Sequence, residues 1–194
     1  MKLRTLVGIG IVGLVLPLGG LEAQVDFSRL ELTGGIGGWS GDGLEAFDPG
    51  FYGQLTFFGG VSSTFAVGLT GTYADLPITV DGNSGSGDEV GLGVTLRKAL
   101  GAPRTFRFFL DGYAGWSRIG TTVETFDVTS DGFVIGPGLG VEIPFAEKWN
   151  VIARGHYYYQ SYGDVLLNEG INAGSADNAW RWGGQVGLSF GPIN

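Results

Sequence analysis

The residues able to move protons, pair ions or hold a ligand are few, and within each segment they are spaced by even numbers of positions. Glu31, Glu89 with Arg97, Arg107 with Asp111, Glu142, Arg154 with His156, and Arg181 are the candidates. In an extended chain, even spacing puts side chains on one face of a strand. His156 is the sole histidine and cysteine is absent, so zinc sites built on Cys or clustered His are excluded. Nucleophilic catalysis through His156 needs a hydroxyl within hydrogen-bond reach. The residue two beyond it is Tyr158, and Ser161 falls on the opposite face, so no catalytic residue is assigned. Opposite charges on a common, enclosed face suit ion pairing instead, because an isolated buried charge is costly. Gly91, Gly93, Gly136, Gly138 and Gly140 recur at period two rather than in a phosphate-cradling turn, so no cofactor is expected.

A second set of charges lies between the alternating segments. Asp42, Glu45, Asp48, Asp75, Asp81, Asp88, Glu124, Asp127, Asp131, Asp164, Glu169 and Asp177 fall in or beside stretches rich in Gly, Asn and Ser, without Lys or Arg. A formal charge of −8 argues against nucleic acid as a partner. The acidic stretches could keep the loops solvated, bind divalent cations or meet a basic partner. Asp81 to Asp88 loosely matches a calcium loop but lacks the EF-hand pattern of ligands and central glycine.

The elements that must position these residues have a period of two. Eight stretches alternate apolar with polar or small residues, over 27–40, 50–60, 63–75, 88–99, 103–118, 132–145, 148–162 and 179–190. Ser62-Ser63, Gly101-Ala102 and Ala146-Glu147 mark tight turns. Longer loops are expected at 41–49, 76–87, 119–131 and 163–178. Val90, Leu92, Val94 and Leu96 form one face of the fourth stretch, with Glu89, Gly91, Gly93, Thr95 and Arg97 on the other. The remaining stretches repeat that division, and charge falls on the second face. Arg or Lys facing lipid at mid-depth costs about 2–4 kcal/mol, whereas an apolar face turned to lipid and charges turned inward avoid it. Only a closed sheet leaves no unpaired edge in hydrocarbon. The fold expected is therefore all-β: an eight-stranded antiparallel up-and-down transmembrane barrel with both termini in the periplasm.

Aromatics support that orientation. Phe57, Phe65, Phe106, Phe145, Trp149 and Phe190 lie near the tight-turn ends, and Tyr73, Trp116, Phe133, Tyr159 and Trp180 near the long-loop ends. Two girdles of this kind mark the two interfaces of a bilayer. Trp39 falls on the inward parity unless the glycines before it hold a bulge. Pro137 removes a ladder donor and predicts a bulge or local break. At the N-terminus, basic Lys2 and Arg4 precede an apolar run from Leu6 to Leu18 and a cut before Gln24. Residues 1–23 are read as a signal peptide and 24–194 as the barrel domain.

The mature chain resembles the small eight-stranded outer-membrane barrels, the OmpA membrane domain and OmpX. The likeness rests on strand number, a charged lumen and the final segment Gln185-Val186-Gly187-Leu188-Ser189-Phe190. It implies outer-membrane location, contact with outer-membrane lipid and lipopolysaccharide, and assembly by the outer-membrane insertion machinery through that last segment. One family of eight-stranded lipid A deacylases carries a His-x-Ser pair on a late strand; here Tyr158 stands in the serine position. Three functions are carried forward. The first is a structural or surface-interaction barrel with a plugged lumen. The others are a narrow porin-like channel for ions or small solutes, and a lipid A-modifying enzyme.

Overall fold

The computed structural model describes residues 26–41, 48–62, 64–80, 83–101, 106–123, 126–167, 171–175 and 178–191; the leader read over 1–23 lies outside them. Nine strands follow in chain order: β1 (Asp26–Ser40), β2 (Gly50–Ser62), β3 (Phe65–Val80), β4 (Asn83–Leu100), β5 (Arg107–Val123), β6 (Phe126–Ala146), β7 (Trp149–Leu167), β8 (Ile171–Ser175) and β9 (Ala179–Phe190). Every pairing is antiparallel. β1 through β7 each pair with the next, β7 also pairs with β9, and β9 returns to β1. The circuit is a closed eight-stranded barrel, with β8 added outside it on the upper part of β7.

Alternation drives this closure. A strand sends successive side chains to opposite faces, so a period-two sequence has one apolar and one polar side. Leu139 and Val186, on the outer face, are each 65% exposed, whereas inward Glu31, Glu89 and Arg181 are 1% exposed. An apolar exterior around an ionised interior reverses the pattern of a water-soluble barrel, and it matches a sheet whose surroundings are hydrocarbon. The aromatics of both expected girdles lie on the outer face, with Trp149 against Phe190 at one end (4.9 Å) and Tyr159 against Trp180 at the other (5.1 Å).

The turns use local chemistry. Ser62 Oγ accepts the Phe65 N–H at 3.1 Å. Gly101 adopts φ +118°, a region where side chains are strained. Beyond β9, Gly191 also has positive φ and donates its N–H to the Lys148 carbonyl at 2.9 Å, tying the chain end to the β6–β7 turn.

Three expectations need correction. The segments 76–87 and 119–131 are largely strand rather than loop: β3 pairs with β4 as far as Val80↔Asn83, and β5 with β6 as far as Val123↔Phe126. The last of the long loops, 163–178, also carries strand, at the end of β7 and in β8. Apolar–polar alternation fades there, but Thr121, Thr122, Val123, Val128 and Thr129 are β-formers and the ladders continue. Since β1, β2 and β9 stop at Ser40, Gly50 and Ala179, β3 to β8 rise beyond them as a tall wall on one side of the barrel. Its β3 edge is guarded: Pro77 cannot donate, its carbonyl accepts the Asp48 N–H (2.9 Å), and Thr79 bonds the Asp48 carboxylate (2.8 Å). Proline and charge on an edge strand deter further pairing.

Trp39 points inward with no bulge before it, since the β1–β9 register is unbroken from Leu30 to Ser40. At Pro137 the ladder breaks without a bulge. The β6–β7 pairing skips Gly136 and Pro137 and resumes in the same register at Gly138↔His156.

Candidate functional site

The lumen brings the sequence-predicted residues together, and its layers follow from register. Arg97 on β4 lies opposite Asp111 on β5, and Arg107 on β5 opposite Glu142 on β6. Cross-strand neighbours of opposite charge are thus built into the pairing. In the layer toward the tight turns, Arg97 binds Asp111 through Nε and Nη2 (2.7 and 2.8 Å) and Glu31 through Nη1 and Nη2 (2.6 and 3.2 Å). Arg154 lies 3.6 Å from Glu31 and 3.4 Å from Asp111. Arg107 and Arg29 converge on Glu142 at 2.8 and 2.7 Å. Four guanidinium groups thus share three carboxylates. Bidentate Arg–carboxylate geometry is the strong form of this contact, and here it spans the lumen from β1 to β7. Phe58 and Phe109 close on Arg97 at 4.5 and 3.8 Å from its guanidinium carbon, adding cation–π attraction.

Hydroxyls fill the middle. Thr70 bridges Thr56 (3.1 Å) and Thr95 (2.7 Å), and Gln54 donates to Thr56 (3.0 Å). Above them, Arg181 meets Glu89 at 2.5 Å, while Gln160 donates to Ser117 (2.6 Å) and Glu89 (3.3 Å). His156 belongs to neither ion-pair layer. Its ring stacks on Tyr158 (4.6 Å) and tilts against Tyr52 (4.7 Å). Both ring nitrogens are buried without a hydrogen-bond partner among the described residues. A general base must reach a proton to abstract, and no described hydroxyl engages this ring.

Toward the tall-wall end, Trp39, Tyr52, Leu76, Ile119 and Tyr162 belong to one buried cluster. Several inward glycines make room for neighbouring rings. A Cβ on Gly140 would come within 2.4 Å of Phe109, on Gly115 within 2.5 Å of the Tyr113 hydroxyl, and on Gly183 within 2.6 Å of His156.

Residues 83–88 of the calcium-loop-like stretch lie in β4; Asp81 and Gly82 lie outside the described residues. Among the described residues, no group of three or more His, Cys, Asp or Glu is placed to hold a metal ion. The acidic surface also has a basic member, Arg118, 3.8 Å from Asp131.

No protein family model matches the chain, and no curated protein does. Solved structures do. Neisserial surface protein A superposes with a TM-score of 0.66 at 12% identity, covering 86% of this chain and 98% of that one. Ail, the attachment invasion locus protein of Yersinia pestis, in a complex with the heparin analogue sucrose octasulfate, gives 0.50 at 12% identity over 85% and 100%. The chain has the fold of the small eight-stranded outer-membrane β-barrels.

Within that outer-membrane barrel fold, sequence reasoning missed Arg29, which pairs with Glu31 and Glu142. It shares parity with Glu31, so the alternation rule that assigned Glu31 also reaches Arg29. Tyr52, whose hydroxyl accepts from Arg181 (3.3 Å), is likewise on the parity of Gln54. Nothing local in the sequence marks Phe58 and Phe109 as the two rings that enclose Arg97; Phe109 is a diagonal neighbour on the paired strand β5, and Phe58 reaches in from β2, beyond β3.

Proposed function

We propose that this chain is an outer-membrane barrel with a structural or surface-interaction role, and that its lumen is closed to solutes. The observation that carries the reading is the charge network. The ion pairs of Arg29, Arg97, Arg107 and Arg154 reach across the interior, with a buried apolar cluster above them. Eight strands leave an interior just wide enough for side chains to fill, and here both ion-pair layers and stacked rings occupy it. Of the two neighbours, one is a surface protein and the other an attachment protein, which supports a role at the cell surface.

In this reading the 1–23 leader directs export, and the final strand engages the insertion machinery. The termini stay in the periplasm, and the tall wall stands on the outside among lipopolysaccharide headgroups. The exposed carboxylates of Asp75, Asp88, Asp127 and Asp131 suit a basic partner better than an acidic one. His156 has no hydrogen-bond partner among the described residues, which speaks against Ser–His hydrolysis. Planar-bilayer recording tests closure. The full mature barrel is expected to give no resolved openings across a range of voltages; reproducible unitary openings would replace this reading with the narrow channel.

A further inference from the structure

Counted by charge, the lumen is one anion short. Among the described residues, the inward guanidinium groups are those of Arg29, Arg97, Arg107, Arg154 and Arg181. The carboxylates that meet them are Glu31, Glu89, Asp111 and Glu142. None of these nine side chains is more than 10% exposed. A buried charge without a counter-charge is costly.

Hydrogen bonding shows which guanidinium lacks a carboxylate. Arg97 takes both oxygens of Asp111 and both of Glu31. Arg107 donates to Glu142 and Arg181 to Glu89. Arg29 meets the other oxygen of Glu142 at 2.7 Å, and at 10% it is the most exposed of the five. Arg154 is 0% exposed, and its one hydrogen bond runs from Nη2 to the Tyr158 hydroxyl at 3.1 Å. Glu31 and Asp111 stand 3.6 and 3.4 Å from it, but Arg97 already occupies their oxygens. Arg154 Nε and Nη1 are buried without a hydrogen-bond partner.

Further donors lie beside it. Gln185 faces Arg154 directly across β7 and β9 and is buried. Its Oε1 accepts from Thr33 at 3.3 Å, which leaves Nε2 unpartnered. Tyr158 accepts from Arg154 and keeps its own proton to donate. Packing limits what can meet these groups. A Cβ on Gly140 or Gly183 would collide with Phe109 or His156, at 2.4 and 2.6 Å. On Gly138 it would stand 3.6 Å from Arg154 Nη2, with nothing nearer than 3.2 Å. Room beside the guanidinium is thus that of a single atom, too little for a polyatomic oxyanion.

We infer that Arg154, Gln185 and Tyr158 hold one monoatomic anion, chloride under physiological salt. It carries the missing charge and accepts from Arg154 Nε and Nη1 and from Gln185 Nε2. This site adds a ligand to the structural role proposed above, and it does not depend on whether the lumen is closed to solutes.

Urea unfolding of the detergent-extracted barrel, in sodium chloride and in sodium gluconate of equal ionic strength, tests it. Above the dissociation constant, the unfolding equilibrium constant should fall about tenfold for each tenfold rise in chloride, ~1.4 kcal/mol. Gluconate is too large for the site and should give no such dependence. Gln185→Glu keeps the acceptor for Thr33 and sets a carboxylate on the rung facing Arg154, so it should abolish the chloride dependence. Crystals grown in sodium bromide should show an anomalous peak in contact with Arg154 and Gln185. Heat-modifiable gel migration reports whether Gln185→Glu is folded; if it is not, the bromide peak decides alone. The inference is overturned by the absence of that peak, by equal stabilisation in gluconate, or by a chloride dependence that persists in folded Gln185→Glu. A bromide peak against Arg29 instead would also overturn it, by placing the surplus charge at the tight-turn mouth.

Discussion

Arg97 shows how much one side chain holds in this interior. Its guanidinium satisfies both oxygens of Asp111 and of Glu31 while two phenyl rings cover its faces. Removing one partner of a buried ion pair costs about 3–5 kcal/mol, because the other charge is left uncompensated. Arg97→Ala strands two carboxylates, so its unfolding free energy in detergent should fall by at least that amount, read from the urea midpoint at unchanged slope. Arg97→Lys should recover only part of it, since an ammonium cannot form the fork that faces both acids. His156 behaves oppositely. Its nitrogens are buried and unpaired, so its contribution is shape. His156→Phe keeps the stack on Tyr158 and removes two unsatisfied polar atoms, a replacement that is nearly neutral or stabilising. A loss above about 2 kcal/mol on that substitution would show that the imidazole makes a polar contact the stacked geometry does not suggest.

Among the elements, alternation of apolar and polar residues was legible in all eight barrel strands within the hydrocarbon band, because a one-residue slip would turn a whole face toward the wrong solvent. Glu31, Glu89, Arg97, Arg107, Asp111, Glu142, Arg154, His156 and Arg181 lie buried on the inward parity of their strands, as does Trp39, whose inward direction looked anomalous. Strand ends were legible only inside the hydrocarbon band. Beyond it both faces of β3 to β6 carry polar residues, the period fades, and Thr121 to Val123 look like loop although they continue the ladder. Which charges pair was not legible, since partners such as Glu31 and Arg97 sit on strands that are not neighbours. Pro137 is the one place where an element resists its own ladder. Its missing N–H interrupts pairing with β7 while the register carries through. Pro137→Val should restore that rung and raise stability by about 0.5–1.5 kcal/mol, the net worth of a typical hydrogen bond, again measured by urea unfolding in detergent.

At the scale of the molecule, with β8 set aside as outside the circuit, all pairings but one join barrel strands that follow each other along the chain. The exception is β1 with β9, from Leu30↔Phe190 to Ser40↔Trp180. Two glycines there have no room for a side chain: a Cβ on Gly35 would fall 2.0 Å from the Gly184 carbonyl oxygen, and on Gly187 2.0 Å from that of Leu32. Gly187→Val should therefore prevent the compact, heat-modifiable gel species from forming, while Gly71→Val, facing open space, should leave it intact. The seam also decides where the entropy of folding is concentrated. Hairpins zip with short loops, and a single late event must bring the two chain ends together. That cost grows only as the logarithm of the chain between them, about 0.6 kcal/mol for each doubling. Segments grafted onto the tips of the outer hairpins can therefore lengthen greatly while the final closure hardly registers the change, which makes this barrel a tolerant carrier for foreign sequence.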